Sequence, residues 1–264
     1  MPNPSPARMH DFEVVSNEEI AEGIFSLVIL APRLASALKP GQFVNIRVPG
    51  DASELLRIPL SYVSADAEHG TVEIWYAVVG NATRRMSQWK PGFTSDLLGP
   101  GGRGWKAPEG TKRALVVGGG IGVPPVLCLS RELVSAGVAV DACVGAASAS
   151  KLVGLEDFRA LGCDQICVAT DDGSAGACGF CTEPASELLA AGGYDYVATC
   201  GPGVMMSKVA AAAAEAGVYC EASLERMMSC GFGACSTCNV ETADGMQGAC
   251  MCGPVFDASK VVVW

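Results

Sequence analysis

Four cysteines near the end of the chain concentrate its chemistry. Cys230, Cys235 and Cys238 follow a C-x4-C-x2-C spacing, and Cys250 lies a short loop further on. Thiolates so spaced suit a plant-type [2Fe–2S] cluster, whose two irons need four thiolates converging from two sides. The intervening Gly231, Phe232, Gly233 and Ala234 are, Phe232 apart, small or flexible enough to wrap closely. Glycine accepts positive φ and lets backbone N–H groups approach the sulfurs. Structural zinc is the rival. It more often uses paired C-x2-C hooks, and only Cys235–Cys238 forms one in this segment. Cys252 is an alternative fourth ligand to Cys250.

Other stretches suit anions and nucleotides. Arg57-Ile58-Pro59-Leu60-Ser61 sets a fork of N–H donors beside a Pro-fixed backbone and a hydroxyl, a grip for a pyrophosphate oxygen. The alternative is an edge-strand proline with a solvent-facing arginine. Gly80-Asn81-Ala82-Thr83 precedes a short helix that Thr83 can cap, leaving N–H groups for phosphate. Gly118-Gly119-Gly120-Ile121-Gly122 follows a strand and opens a helix, the setting in which backbone amides hold a nucleotide pyrophosphate. It is not a strict GxGxxG, and tight packing alone would also explain it. Cys200-Gly201-Pro202-Gly203 ends a later strand, at the edge where open α/β sheets take ligands. Cys200 there either lines a nicotinamide site or fills space as a small hydrophobe. Cys178-Gly179-Phe180-Cys181 has redox spacing but lacks the strand-then-helix start of a thioredoxin motif, so it reads as incidental.

The elements that must position these residues fall into two textures. Up to about residue 100, short runs broken by turn signals predict strands at Phe12–Val15, Ile24–Ala31, Gln42–Val48, Ile58–Ser64, Thr71–Val79 and Ser95–Leu98. Such spacing suggests a small antiparallel barrel. One short helix is expected from about Thr83 to Trp89. After Gly104–Gly110 the pattern changes to strands at Arg113–Val117, Val138–Val144, Gln165–Ala169 and Tyr196–Thr199. Helical segments such as Pro124–Ala136 and Val204–Ala216 alternate with them, which indicates a parallel sheet.

The 264 residues suffice for two domains and an appendage, and half of them are hydrophobic. A formal net charge of −10 argues against nucleic acid as a partner. No apolar run approaches a membrane span, and the N-terminal MPNPSPARMHDFEVV has no signal-peptide core. Thirteen cysteines without an export signal point to reduced thiols in a cytoplasm.

Taken together, these stretches resemble the ferredoxin–NAD(P) reductase superfamily, and closely one branch, the electron-transfer subunits of class B dihydroorotate dehydrogenase. Leu55–Ser61 (LLRIPLS) resembles the flavin-binding Arg-x-Pro-x-Ser strand, and Tyr76–Thr83 (YAVVGNAT) the second flavin segment. Gly118–Pro125 (GGGIGVPP), Thr170–Ser174 (TDDGS) and Cys200–Met206 (CGPGVMM) match the nicotinamide side, and Ser223–Cys238 with Cys250–Ala258 the cluster tail. In the family two residues separate the fourth cysteine from Gly-Pro-Val-Phe, which selects Cys250 over Cys252. Three positions depart: Ile58 stands where a second arginine is common, Ala82 where glycine is usual, and Pro124 where alanine is expected.

The resemblance implies a β + α/β fold. A six-stranded antiparallel FAD-binding barrel over 1–106 precedes a parallel α/β NAD-binding domain over 107–218 and a [2Fe–2S] segment over 219–264. It implies FAD held by Arg57, Ile58, Pro59, Leu60, Ser61, Trp75, Tyr76, Ala77, Ala82 and Thr83. NAD falls to Gly118, Gly119, Gly120, Gly122, Cys200, Gly201 and Pro202, and the cluster to Cys230, Cys235, Cys238 and Cys250. NAD is expected over NADP because Gly145–Leu152 offers only Lys151 as a cation. The chain shows no site for dihydroorotate. An FMN-containing dihydroorotate dehydrogenase catalytic subunit is therefore implied as partner in a heterotetramer of pyrimidine biosynthesis. Two alternatives share the motifs or the fold: a relay for a ferredoxin-, sulfide- or hydrogen-linked enzyme, and a non-catalytic redox-sensing module.

Overall fold

The computed structural model describes residues 7–50 and 55–264. The Met1–Pro6 part of the N-terminal segment lies outside them. The first half is a seven-stranded antiparallel sheet in the order β4-β3-β7-β1-β2-β6-β5. Its strands are β1 (Arg8–Ala21), β2 (Ile24–Leu30), β3 (Phe43–Ile46), β4 (Ile58–Ser61), β5 (Ser64–Asp66), β6 (Thr71–Ala77) and β7 (Thr94–Gly101), with helices α1 (Pro32–Ala35) and α2 (Asn81–Met86) between them. The run expected as one strand, Ile58–Ser64, is two. Here β4 pairs with β3 and β5 with β6, so Tyr62 and Val63 cross from one edge of the sheet to the other. A two-residue link spans only about 10 Å, so the sheet must curl until its edges meet. That crossing is why seven strands, not six, build the barrel. Leu27, Ile29, Val44, Ile46, Val72, Ile74 and Leu97 fill its interior, with Trp89 stacked on Phe93 and tilted against Phe12.

The second half is a sheet in the order β11-β10-β9-β8-β12-β13-β16. It contains β8 (Arg113–Gly119), β9 (Ala139–Ala146), β10 (Ile166–Thr170), β11 (Ala177–Cys178), β12 (Tyr196–Cys200), β13 (Tyr219–Ser223) and β16 (Val255–Asp257). Helices α3 (Val123–Ser135), α4 (Leu155–Ala160), α5 (Thr182–Ala191) and α6 (Gly203–Glu215) cover it. All pairings are parallel except that of β16 on β13. The run Ala114–Val117 is buried throughout, as both faces of a covered parallel strand must be. Because β13 pairs with β12, this sheet continues past residue 218, and the remaining segment starts after Ser223. That segment contributes the hairpin β14 (Asn239–Thr242) and β15 (Gly245–Gly248), then returns to the sheet edge as β16.

Two polar anchors fix the halves against each other. The Trp105 backbone N–H donates to Pro40 O and its indole N–H to Pro125 O, at 3.0 and 3.1 Å, tying the linker to barrel and α3. Buried Glu221 accepts from Lys106 N–H and from the Tyr196 hydroxyl, each at 2.8 Å. Among the described residues no helix is long and apolar enough to cross a membrane.

Candidate cofactor cleft and cysteine loop

The strand order reverses at β8, with β9 on one side and β12 on the other. Such a switch point leaves a crevice beyond the carboxyl ends of the two strands, because the connections leave in opposite directions. Gly118–Gly122 and Cys200–Gly203 stand at that crevice. Their turns pack backbone on backbone: a Cβ on Gly122 would lie 2.3 Å from Cys200 O. Only glycine permits that approach.

The crevice opens into a cleft of ≈ 580 Å³, within the size range of small-molecule sites. One wall comes from the barrel: Pro59, Leu60, Ser61 and Trp75. The opposite wall is Gly119, Gly120, Gly122, Cys200, Gly201 and Pro202. The segment leading to the cysteines supplies a third, with Ser223, Glu225, Arg226 and Met228. Trp75 is held at the wall by its indole N–H, which donates to Glu73 at 2.7 Å. Burial pushes the Cys200 thiol up to about 12, Ser223 opposing and Glu225 adding. It is therefore a neutral thiol at physiological pH and no nucleophile.

Several expected residues do not line the cleft. Arg57 is ion-paired with Asp96 at the barrel surface and also donates to Asp96 O, so part of its fork is engaged within the protein. Ile58 packs on the barrel core. Tyr76 is buried there, its ring on Phe25 and its hydroxyl donating to Asn17. Ala77 ends β6, Ala82 packs against the barrel core, and Gly118 is buried beneath the turn. Thr83 caps the helix, but from its first turn rather than as the residue before it. Gly80 is extended, with φ −155°, so α2 starts at Asn81 and Thr83 sits in its first turn. Its hydroxyl reaches back to accept Val79 N–H and Gly80 N–H, both at 3.0 Å. The expected use of α3 as an amide cradle is also reduced. Pro124 and Pro125 occupy its first turn, and neither has an N–H to give.

Ser223, Glu225 and Arg226 were not singled out by spacing. The available signal was their position, at and just beyond the carboxyl end of a strand next to the switch point.

From Leu224 to Cys238 the chain has neither helix nor strand. Gly231 and Gly233 adopt φ of 75° and 86°, which allows the tight wrap around Cys230 and Cys235. Backbone N–H groups already face the sulfurs: Ala234 donates to Cys230 Sγ at 3.2 Å and Cys250 to Cys238 Sγ at 3.4 Å. The thiols lie as two neighbouring pairs, Cys230 beside Cys235 and Cys238 beside Cys250. The hairpin β14–β15 makes the second pair by placing Gly248 opposite Asn239. The Thr237 hydroxyl and backbone, then Cys230, lower the exposed Cys235 to about 6. Burial, then the neighbouring Cys238, pushes Cys250 up to about 12.

Among the described residues no three cysteine, histidine or carboxylate groups are gathered for a single metal ion. Two pairs suit a two-iron cluster, each iron taking two thiolates, better than one tetrahedral zinc.

Residues 225–262 match the model of the iron–sulfur cluster binding domain of dihydroorotate dehydrogenase B. The chain is 38% identical over 258 residues to the dihydroorotate dehydrogenase B (NAD(+)) electron transfer subunit of Bacillus caldolyticus, covering 95% of this chain and 97% of that one. It is 34% identical to the corresponding Fusobacterium nucleatum subunit, covering 97% and 99%. Among solved structures, a chain of the NADH-dependent reduced ferredoxin-NADP oxidoreductase superposes with a TM-score of 0.86 at 30% identity, covering 99% of this chain and 91% of that one. The Amycolatopsis cytochrome P450 reductase GcoB shares the fold at a TM-score of 0.68 and 21% identity, covering 80% and 67%. A barrel joined to a switch-point crevice, two thiol pairs on the tail, and near-complete coverage at these identities agree: the chain belongs to the dihydroorotate dehydrogenase B electron-transfer subunits, with the ferredoxin reductase fold.

Proposed function

We propose that this chain passes electrons from a partner subunit, which carries FMN and oxidises dihydroorotate, to NAD+ in pyrimidine biosynthesis. One observation carries the reading: a single cleft takes its walls from the barrel strand, the glycine turn and the segment leading to the cysteines. When bound, FAD exchanges electrons pairwise with NAD and singly with a [2Fe–2S] cluster, which hands on one at a time.

The protein's part is to bind, orient and insulate. Under this reading Pro59–Ser61 and Trp75 form the flavin wall, with Arg57 available at the barrel surface through its remaining donors. The nicotinamide side falls to Gly119–Gly122 and Cys200–Pro202. Cys230 with Cys235 would hold one iron and Cys238 with Cys250 the other. The apolar walls exclude water, which protects reduced cofactors from side reactions. NAD is favoured over NADP by the surroundings of β9. Lys151 is the sole cation in Gly145–Leu152, and Asp171, whose N–H donates to Ala146 O, lines the cleft. A cytoplasmic location is supported by thirteen free cysteines.

Reconstitution tests the function. The chain, mixed with the FMN protein that co-purifies with it, is expected to reduce NAD+ when given dihydroorotate, and neither component alone should do so. Absence of such a partner would favour the second reading, a relay of the same build for a ferredoxin-linked enzyme. The solved structure at a TM-score of 0.86 carries that alternative.

A further inference from the structure

Strand β3 carries an anomaly. Its residues alternate between two cores: Val44 and Ile46 point into the barrel, while Phe43 packs in the core that contains Cys238, Cys250 and Met228. Asn45 shares the Phe43 face by the two-residue period of a strand. It is 2% exposed, and its side-chain Nδ2 has no hydrogen-bond partner. Native proteins seldom leave a buried N–H unpaired, and each such case asks for an explanation.

The surroundings supply one. The Asn45 amide lies over Gly231, the residue after Cys230: a Cβ there would meet Nδ2 at 2.4 Å and Cγ at 2.9 Å. Gly231 thus serves its φ of 75° and also the space the amide occupies. On its other side Asn45 stands opposite Pro59, in the strand that forms the flavin wall of the cleft. The unpaired donor sits between the two cofactor sites.

We propose that Asn45 is a hydrogen-bond donor to the iron–sulfur cluster, its buried amide held at the Cys230–Gly231 turn for a cluster sulfur. This rests on the cluster reading above. Cluster sulfurs carry negative charge, and reduction adds more. A fixed N–H donor therefore stabilises the reduced state more than the oxidised one and raises the reduction potential. Ala234 N–H supplies one such donor from within the loop. Asn45 supplies another from the barrel, so the cluster's potential depends on the domain that holds the flavin.

The test is a redox titration of the full chain followed by EPR, wild type against Asn45→Leu, which keeps the volume and removes the donor. The variant is expected to keep its iron and its flavin absorbance while the cluster potential moves lower. An unchanged potential in an iron-loaded variant overturns the role of Asn45 and leaves the cluster standing. A wild-type chain without iron overturns both. Should Asn45→Leu fail to fold, pulsed EPR on reduced protein labelled with 15N at asparagine side-chain amides decides. The background is Asn239→Ala, which removes the other asparagine beside a cluster cysteine. A 15N coupling is expected, and its absence overturns the proposal.

Discussion

The cleft takes its barrel and glycine-turn walls from strands and the turns that follow them, with Glu225, Arg226 and Met228 closing the third side, whereas the cysteine-bearing loop from Ser229 to Cys238 has no regular element. The cleft is shaped by sheets that bury Val116, Val117, Leu115 and Tyr196 completely, so it keeps its form without a ligand. The loop exposes Phe232, as its lead-in exposes Met227, and around Cys230 and Cys235 its hydrogen bonds run to its own sulfurs, while Met228 and Cys238 anchor its two ends in the core. A site of the first kind binds a preformed ligand at small conformational cost. A site of the second kind is completed by the metal it binds. The two should therefore fail independently.

Breaking the loop gives the largest effect. Cys250→Ser is expected to lower cluster content by more than the roughly 10–100-fold typical of outer-shell partners, while FAD stays bound. Iron assay and flavin absorbance on one sample check it, and joint loss of both cofactors with a folded barrel would break the comparison. The matching change in the cleft is Gly122→Ala, whose new methyl would collide with Cys200 O. Overpacking of this kind costs about 1–3 kcal/mol of stability and forces the glycine turn away from Cys200, so the KM for NADH should rise with the cluster spectrum unchanged.

Inside the loop the two thiol pairs differ in reactivity. In metal-free protein, Cys235, lowered to about 6, is mostly thiolate at pH 7 and loses that form as pH falls through about 6. Cys250, raised to about 12, stays a thiol over the same range. Iodoacetamide should therefore label Cys235 first, at a rate that halves near pH 6, and peptide mapping should find Cys250 unlabelled. Smallest of all is Cys252→Ser. Among the described residues no hydrogen bond links Cys252 to another thiol, and its backbone N–H donates to Gly248 O, so the cluster spectrum should hardly change.

The loop was the more legible region in the sequence and the cleft the less. Cysteine spacing constrains a metal site directly, since the ligands are few and close in the chain. The glycine turn after Arg113–Val117 was equally plain, because a buried strand, a glycine turn and a helix follow one another without interruption. Contacts between distant segments were not legible. Tyr62 and Val63 read as the continuation of a strand because nothing local marks a barrel seam. Thr83 looked like the residue preceding the helix because Gly80 gives no side-chain signal of where the helix starts. Asn45 sits in the run Phe43–Ile46, which spacing alone reads as an ordinary strand, and only the fold shows that its amide is buried and unpaired.

What the four thiols hold decides whether the chain can carry single electrons. Metal and sulfide analysis of the chain purified without oxygen measures that directly. Iron and acid-labile sulfide in equal amounts, alongside bound FAD, are the expected result, and zinc in place of iron would contradict it.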